Sequence, residues 1–549
     1  MNTHPSRSQS SWTFRHRRRA RKVSAPGALP AAPAASSPDS ADVPADDGES
    51  KCQCKPPVPS PIVPGTTSSG AMMIQHEISV DAPSGSESAS ELVIVSNRLP
   101  LQRIKRGRIS AWASSTGGLV SAIRPLLRES NSTWVGWTGE TTNHERPFEH
   151  EGVRNWPVSL SSKDAKAYYE GFSNRILWPL YHDAIRPPDY RQHWWETYVE
   201  VNRRFAEATA RAAARDGIVW VHDYHLQLVP AMLRKARPDL RIGFFLHIPF
   251  PPQELFSQLP WRTEIVEGLL GSDVIGFQTK IGAANFIQVA KRFTDAIESE
   301  GRLRVNERFV QVGAFPISID YAHFERLASG EDVTARAAEF RHRLGGTRKI
   351  MLGLDRLDYT KGIDTRLQAY RELLRSRRVS PDECVLVQIA IPSREHVAEY
   401  KELRVNVERL VGEIEGEFGD IGRTPIHYLH RSVDELELVA LYRAADVMLI
   451  TPLRDGMNLV AKEYVASRID DTGVLVLSEF TGAARELKSA LLVNPHDIGG
   501  LVSRMERALH MPQREQEIRM KSLRRVVKQN DVYHWADSFF NTLAAFART

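Results

Sequence analysis

From Glu91 onward, short apolar runs alternate with longer amphipathic stretches, and that rhythm leaves the chain few folds. Such alternation marks βαβ units, in which each helix carries the chain back so that successive strands lie parallel. A first series comprises Leu92 to Ser96, Ile218 to His222, Ile242 to His247, Val274 to Gln278 and Val310 to Phe315. A second comprises Lys349 to Leu354, Cys384 to Ile389, Ile426 to Leu429, Val447 to Ile450 and Val474 to Leu477. At 549 residues the chain also exceeds what one hydrophobic core supports. The expected fold is therefore α/β, with two doubly wound domains over 91–320 and 321–530, a cleft between them and the join near Pro316 to Tyr321. The last amphipathic segment, Tyr533 to Phe546, could pack on either domain.

Residues 1–90 lack that rhythm. They are rich in Ser, Pro, Ala and Gly, have too few apolar residues for a core, and are expected to form a disordered leader. Its basic cluster, Arg15 to Lys22, is read as a solvated tail, with contact to acidic surfaces or nucleic acid as the other possibility. Met72 and Met73 precede the folded part, so a shorter translated product is conceivable. The formal net charge of +5 is small for this length, and no nucleic-acid partner is expected. Cys52, Cys54 and Cys384 make no disulfide framework and fit a reducing compartment. No apolar run is long enough to span a bilayer and the leader has no apolar signal region, so a cytoplasmic location is expected.

The sharpest junction is Thr451-Pro-Leu-Arg-Asp-Gly-Met-Asn-Leu-Val-Ala-Lys-Glu-Tyr-Val-Ala466, where an apolar strand empties into an acid, a glycine and a helix. In open α/β sheets ligands sit beyond such strand ends. The amides of Gly456, Met457, Asn458 and Leu459 would meet an anion, Asp455 would place a carboxylate at the strand tip, and Glu463 a second one a turn further on. The plain alternative is a β-α turn in which Asp455 caps the helix and Glu463 is solvated.

Leu354-Asp-Arg-Leu-Asp-Tyr-Thr-Lys-Gly362 presents Arg356 and Lys361, two cations that suit a diphosphate, or that simply pair with Asp355 or Asp358. Arg98 ends a strand and Gly117-Gly118 opens the next helix, a pairing that suits a phosphate or a structural turn. In Trp220-Val-His-Asp-Tyr-His225 the residues His222, Asp223 and His225 lack a zinc protease's helical spacing, and no Asp-x-Asp pair occurs in the chain. No metal is expected, and Asp223 is read as a hydroxyl acceptor or orienting base. His247 closes Phe244-Phe-Leu-His247, as a site residue or a core histidine. Arg394 adds another strand-end arginine.

Taken together, Ser96-Asn-Arg98, Gly117-Gly118, Phe172-Ser-Asn-Arg-Ile-Leu-Trp-Pro179, His222-Asp-Tyr-His225, Phe244 to Phe250, Arg356 to Gly362 and Arg454 to Glu463 resemble the trehalose-6-phosphate synthase family. The resemblance runs from about Glu91 to the C-terminus. It implies a GT-B type fold of two Rossmann-like domains with the catalytic cleft between them, and a final helix within 531–549 crossing back to the first domain. It also implies that Arg98, Tyr169, Trp178, Asp223 and Arg394 bind the acceptor, glucose 6-phosphate. Gly118, Arg356 and Lys361 would hold the diphosphate of a nucleoside-diphosphate glucose, His247 and Asp455 the transferred glucose, and Glu463 the ribose. No cofactor is implied, and a homo-oligomer is expected.

The implied reaction retains anomeric configuration and yields trehalose 6-phosphate. Double displacement needs a carboxylate against the far face of the donor sugar. Asp455 is nearest by sequence, yet the resemblance gives it sugar hydroxyls, so front-face return is expected, with Arg356 and Lys361 carrying the charge of the leaving diphosphate. Two other readings remain. One is a glucosylglycerol-phosphate synthase, against which Tyr169, Trp178 and Arg394 favour a hexose phosphate, the aromatics covering its ring. The other is a non-catalytic sugar-phosphate binder, against which the intact set of site residues stands. No phosphatase segment follows, so a separate phosphatase is expected to act on the product. No motif reports the donor base.

Overall fold

The protein is described by a computed structural model at residues 89–106, 109–114, 120, 123, 132–141, 146–184, 189–395 and 397–546. The expected leader up to residue 88, with its basic cluster, Cys52, Cys54, Met72 and Met73, lies outside the described residues, as does Gly117-Gly118.

In chain order the first strands are β1 (Ser90–Arg98), β2 (Leu101–Arg106), β3 (Ile109–Ser114), β4 (Ser132–Trp137), β5 (Phe148–His150), β6 (Val153–Pro157), β7 (Ala213–His222), β8 (Arg241–Phe245), β9 (Val274–Phe277), β10 (Ile297–Ser299), β11 (Arg302–Val305) and β12 (Arg308–Ala314). They are followed by β13 (Lys349–Arg356), β14 (Cys384–Ile391), β15 (Ile426–Leu429), β16 (Val447–Ile450), β17 (Val474–Ser478) and β18 (Leu491–Val493). One sheet has the order β10-β11-β12-β9-β8-β7-β1-β4-β6-β5, another the order β15-β14-β13-β16-β17-β18, and β2 with β3 forms a hairpin.

Both large sheets are wound in two directions from a starting strand. In the first, β1 pairs in parallel with β4 on one side and β7 on the other. In the second, β13 pairs in parallel with β14 and β16. Such a reversal leaves a crevice at the carboxyl ends of the two central strands, the usual ligand position in sheets of this kind. The central strands are β-branched and apolar on both faces because helices cover both. Val93, Val95, Val219 and Val221 are fully buried.

The first sheet departs from the parallel expectation at its edges, where β11 and β5 run against it and β10 pairs antiparallel with β11. Those strands have three or four residues each, too short to be read as apolar runs. They finish the sheet with brief edges that offer little for another chain to pair with. Strand β4, Ser-Thr-Trp-Val-Gly-Trp, was equally hidden, its glycine and hydroxyl residues masking a fully buried strand.

The chain leaves β12 and crosses to the helix Tyr321–Ala328 through an irregular segment at 315–320. The C-terminal helix Val532–Ala545 lies against the first sheet, with its start tied to that segment by the Val532 amide, which donates to the Ile319 carbonyl at 2.9 Å. Trp535 and Phe539 meet Trp220 of β7 at ring separations of 4.8 and 4.7 Å. Gly243 makes this approach possible, since a Cβ there would fall 2.6 Å from the Phe539 ring. Among the described residues no helix is long and apolar enough to cross a membrane.

Candidate active site

The two crevices face each other. Strand β1 ends on Arg98, β7 on His222 followed by Asp223, and His247 follows β8, while β13 ends on Arg356 and the loop after β16 carries Asp455. Gly456 shows how closely the two sides approach, because a Cβ there would sit 2.1 Å from the His247 carbonyl oxygen. Any side chain at 456 would push the sides apart. Arg454 pairs with Asp183 at 3.2 Å, and Arg394 donates to the Tyr224 hydroxyl at 3.1 Å, so ionic and hydrogen-bonded contacts also bridge the cleft.

On the first-sheet side the Arg98 guanidinium lies 4.1 Å from the Trp137 ring centroid and 5.7 Å from that of Tyr169. Tyr169 belongs to Ala165–Leu177, a helix wound with π-type bonds, which continues into Trp178–Tyr181 and brings Trp178 to the same wall. Such winding is frequent at functional sites. Burial would raise the Tyr169 phenol, but Arg394, Arg98 and Arg356 outweigh it and hold the group below its ordinary pKa. Three arginines thus surround one hydroxyl, as an anion-binding pocket requires.

Asp223 has φ 75° and ψ 167°, a region open almost exclusively to glycine, at a cost of about 1–3 kcal/mol. Its amide donates to the Phe245 carbonyl at 2.8 Å, and its Oδ1 accepts from the His247 amide at 3.3 Å, bonds that fix the strained turn. Strain of this kind collects at functional sites, where the surroundings over-determine one geometry. Burial pushes the Asp223 carboxyl up to about 6, against the opposing effects of the Tyr224 and His247 amides and of Arg356 and Arg394.

Across the cleft, Arg394 lies 4.0 Å from the Trp178 ring centroid and bonds Asp358, Tyr400 and Tyr224. Asp358 has no exposed side-chain surface. Burial would raise its carboxyl, but Arg394, Arg356 and Lys361 bring it to about 2, so it remains an anion that anchors Arg394. The ion pairs considered for Arg356 do not form. Asp355 is taken by the buried Arg366 at 2.7 Å and Asp358 by Arg394, while Arg356 extends over Trp178 at 5.6 Å. Lys361 instead donates to Asp455 Oδ2 at 2.6 Å.

Asp455 is not the helix cap. Asn458 takes that position for the helix Leu459–Ser467, accepting from the Ala461 amide at 3.0 Å while its own amide donates to Asp455 Oδ2 at 3.1 Å. Both bonds to Asp455 fall on Oδ2, which leaves Oδ1 for a ligand. Burial would raise the carboxyl, but Lys361 more than offsets that and keeps it ionised. Gly456 and Met457 are buried beneath this turn, and Leu459 opens the helix. Glu463 is not simply solvated. It accepts from the Tyr442 hydroxyl at 2.9 Å, and burial pushes its carboxyl up to about 7.

Gly118 lies outside the described residues; Arg98, Tyr169, Trp178, Asp223, His247, Arg356, Lys361, Arg394 and Asp455 gather around the facing strand ends, while Glu463 stands further along the helix against Tyr442. The histidines do not converge on a metal position. His222 turns to His247, and His225 packs between Tyr169 and Tyr224 at 5.7 and 3.9 Å. Among the described residues there is no group of three or more acidic, histidine or cysteine side chains suited to a metal. His182 was missed. Its Nδ1 bonds the Trp178 carbonyl at 2.8 Å, its ring packs 4.1 Å from the Trp178 ring, and it feels the charges of Asp358, Lys361 and Asp455. The spacing of four from Trp178 on a helix was the available signal.

Comparison with known proteins follows the same lines. The model of glycosyltransferase family 20 matches residues 90–545. A trehalose-6-phosphate synthase of Mycolicibacterium smegmatis is 55% identical over 471 residues, which cover 84% of this chain and 93% of that protein. Among solved structures, an α,α-trehalose-phosphate synthase (UDP-forming) from Burkholderia xenovorans in complex with glucose-6-phosphate aligns with a TM-score of 0.75 at 35% identity, covering 82% of this chain and 99% of that one. An E. coli structure bound with UDP-2-fluoro glucose also aligns with a TM-score of 0.75 at 35% identity, covering 82% and 98%.

Proposed function

The chain belongs to glycosyltransferase family 20, and from that premise we propose that it is a trehalose-6-phosphate synthase, a hexosyltransferase of GT-B fold. It moves glucose from a nucleoside-diphosphate glucose to glucose 6-phosphate with retention. The observation that carries this reading is the meeting of two switch-point crevices, each lined with arginine, across the contact between Gly456 and His247. Residues 91–320 then form the acceptor domain and 321–530 the donor domain, with 531–549 returning to the first. The UDP-forming relative makes UDP-glucose the first donor to test.

Arg98 and Arg394 take the acceptor phosphate, and Tyr169 and Trp178 cover its sugar. Asp223 accepts from acceptor hydroxyls, and its strained backbone keeps the carboxylate aimed. Arg356 and Lys361 receive the diphosphate. Lys361 must share itself with Asp455, whose free Oδ1 binds donor-glucose hydroxyls beside His247. In the transfer the bond from the anomeric carbon to the diphosphate oxygen breaks, and a bond to the acceptor's anomeric oxygen forms on the same face. The departing oxygen takes the acceptor's proton. Fixed cations that meet charge developing on a leaving group lower the barrier by roughly 3 kcal/mol each. Oδ2 of Asp455 is committed to Lys361 and Asn458, and the free Oδ1 is assigned to the sugar hydroxyls rather than to attack.

Glu463 gives this reading a pH signature. Its pKa in the folded protein lies near 7, so raising pH through that value releases its proton and creates a full acceptor for the ribose hydroxyls. The donor KM is expected to fall several-fold as pH rises through about 7, and the Glu463→Gln variant to lose that dependence. Initial rates against donor concentration at several pH values check it, with Asp223 titrating lower and affecting the acceptor KM instead.

The proposal is tested by an assay of UDP-, ADP- and GDP-glucose against glucose 6-phosphate and glycerol 3-phosphate. Nucleoside diphosphate released only with glucose 6-phosphate supports it. Preference for glycerol 3-phosphate would assign the glucosylglycerol-phosphate reaction, and binding without release would make the chain a non-catalytic relative.

A further inference from the structure

His222 stands at the end of β7 with no exposed surface, so it touches no substrate. His247 follows the neighbouring strand and is half-buried at the cleft. His222 Nδ1 and His247 Nε2 lie 3.0 Å apart. Burial holds both rings neutral, His222 well below its ordinary pKa and His247 at about 3. A bond between neutral rings needs one N-H and one lone pair, so the tautomer of one ring dictates that of the other.

Two arrangements satisfy the bond. If His247 donates, His222 carries its proton on Nε2, which is buried and has no hydrogen-bond partner among the described residues. The surroundings already hold two buried donors in that condition, Trp220 Nε1 and Trp535 Nε1. The Trp220 ring is 4.6 Å from His222, and Trp535 is 4.8 Å from Trp220. A third orphan donor would add to that excess, and buried N-H groups without partners are rarer than unpaired acceptors. If His222 donates, its Nε2 is left as an unpaired acceptor, which is the less costly of the two conditions. His247 must then carry its proton on Nδ1.

We propose that His222 is a positioning residue whose Nδ1-H fixes His247 as the Nδ1-H tautomer, so that His247 meets the donor sugar as a hydrogen-bond donor. The catalytic consequence rests on the transferase reading above, but the tautomer does not. The test compares His222→Phe, which fills the ring volume without a donor, with His222→Asn, whose amide nitrogen can stand near the position of Nδ1. In histidine-ring 15N spectra of the ligand-free protein, His247 is expected to carry its proton on Nδ1 in the wild type and in His222→Asn, and to lose that preference in His222→Phe. In kinetics with UDP-glucose, His222→Phe is expected to lower kcat/KM for the donor roughly 10-fold or more. The acceptor KM and Tm should stay near wild type, and His222→Asn should recover most of the loss. A proton on Nε2 of His247 in the wild type overturns the proposal, as does a His222→Phe enzyme within about twofold of wild type. If no transfer is found with any donor, the transferase reading fails while the spectra still decide the tautomer.

Discussion

Replacing Arg356 with alanine is expected to lower turnover by about 100-fold or more while leaving Tm unchanged. Both halves follow from where the side chain lies. Arg356 is exposed at the tip of β13, extends over Trp178, and forms no ion pair among the described residues, because Asp355 and Asp358 are already held by Arg366 and Arg394. Its loss therefore strands no buried charge, and the folded state has little to lose. In the proposed reaction the transition state loses a cation that would meet the leaving diphosphate, which the ground state needs less. Steady-state kinetics with a thermal melt on the same preparation check both parts. Near-normal turnover would remove Arg356 from the chemistry.

Lys361→Ala is expected to differ in kind, with turnover falling by about 100-fold or more and stability falling too. Lys361 and Asp455 retain only 10% and 13% of their side-chain exposure, and their 2.6 Å bond joins loops 94 residues apart. Removing the lysine leaves an ionised carboxylate almost enclosed, with Asn458 as its remaining side-chain partner. Stranding one member of a buried pair costs about 3–5 kcal/mol, and the open side of the cleft places this case near the lower end. The Lys361→Ala/Asp455→Ala double variant should regain most of the lost Tm and remain inactive. A double-mutant cycle that finds the two losses of stability additive would mean that the pair is not coupled.

These two cations lie five residues apart in one loop, and the sequence suggested the same duty for both without hinting at their different consequences for folding. Charge and loop position can be read from residue types. Which carboxylate each cation meets depends on strands from distant parts of the chain. The same limit applies elsewhere. Strands β1, β7, β13 and β16 were legible because they are long or continuous apolar runs, buried on both faces. Strands β4, β5, β10 and β11 were not, because brief edges and Gly- or Ser-containing strands carry little periodic signal.

In the candidate site, the residues at strand tips were those the sequence could nominate, since parallel α/β sheets gather their ligands there. The residues that hold them in place were harder to see. Asn458 rather than Asp455 caps the helix, a choice set by where its first turn closes. Asp358, Tyr224 and Tyr400 anchor Arg394 through contacts spanning up to 170 residues. His222 and His247 meet because β7 pairs with β8 so that His222 stands opposite Phe245. Register, which no local pattern states, makes that pair.

The most direct test of the account is the structure of the product formed from UDP-glucose and glucose 6-phosphate, determined by NMR together with the rate of UDP release. The account predicts one disaccharide phosphate, joined through both anomeric carbons in the α,α configuration, with UDP released in equal amount and only when acceptor is present. A product with inverted configuration at the transferred glucose, or UDP release that does not depend on glucose 6-phosphate, would contradict it.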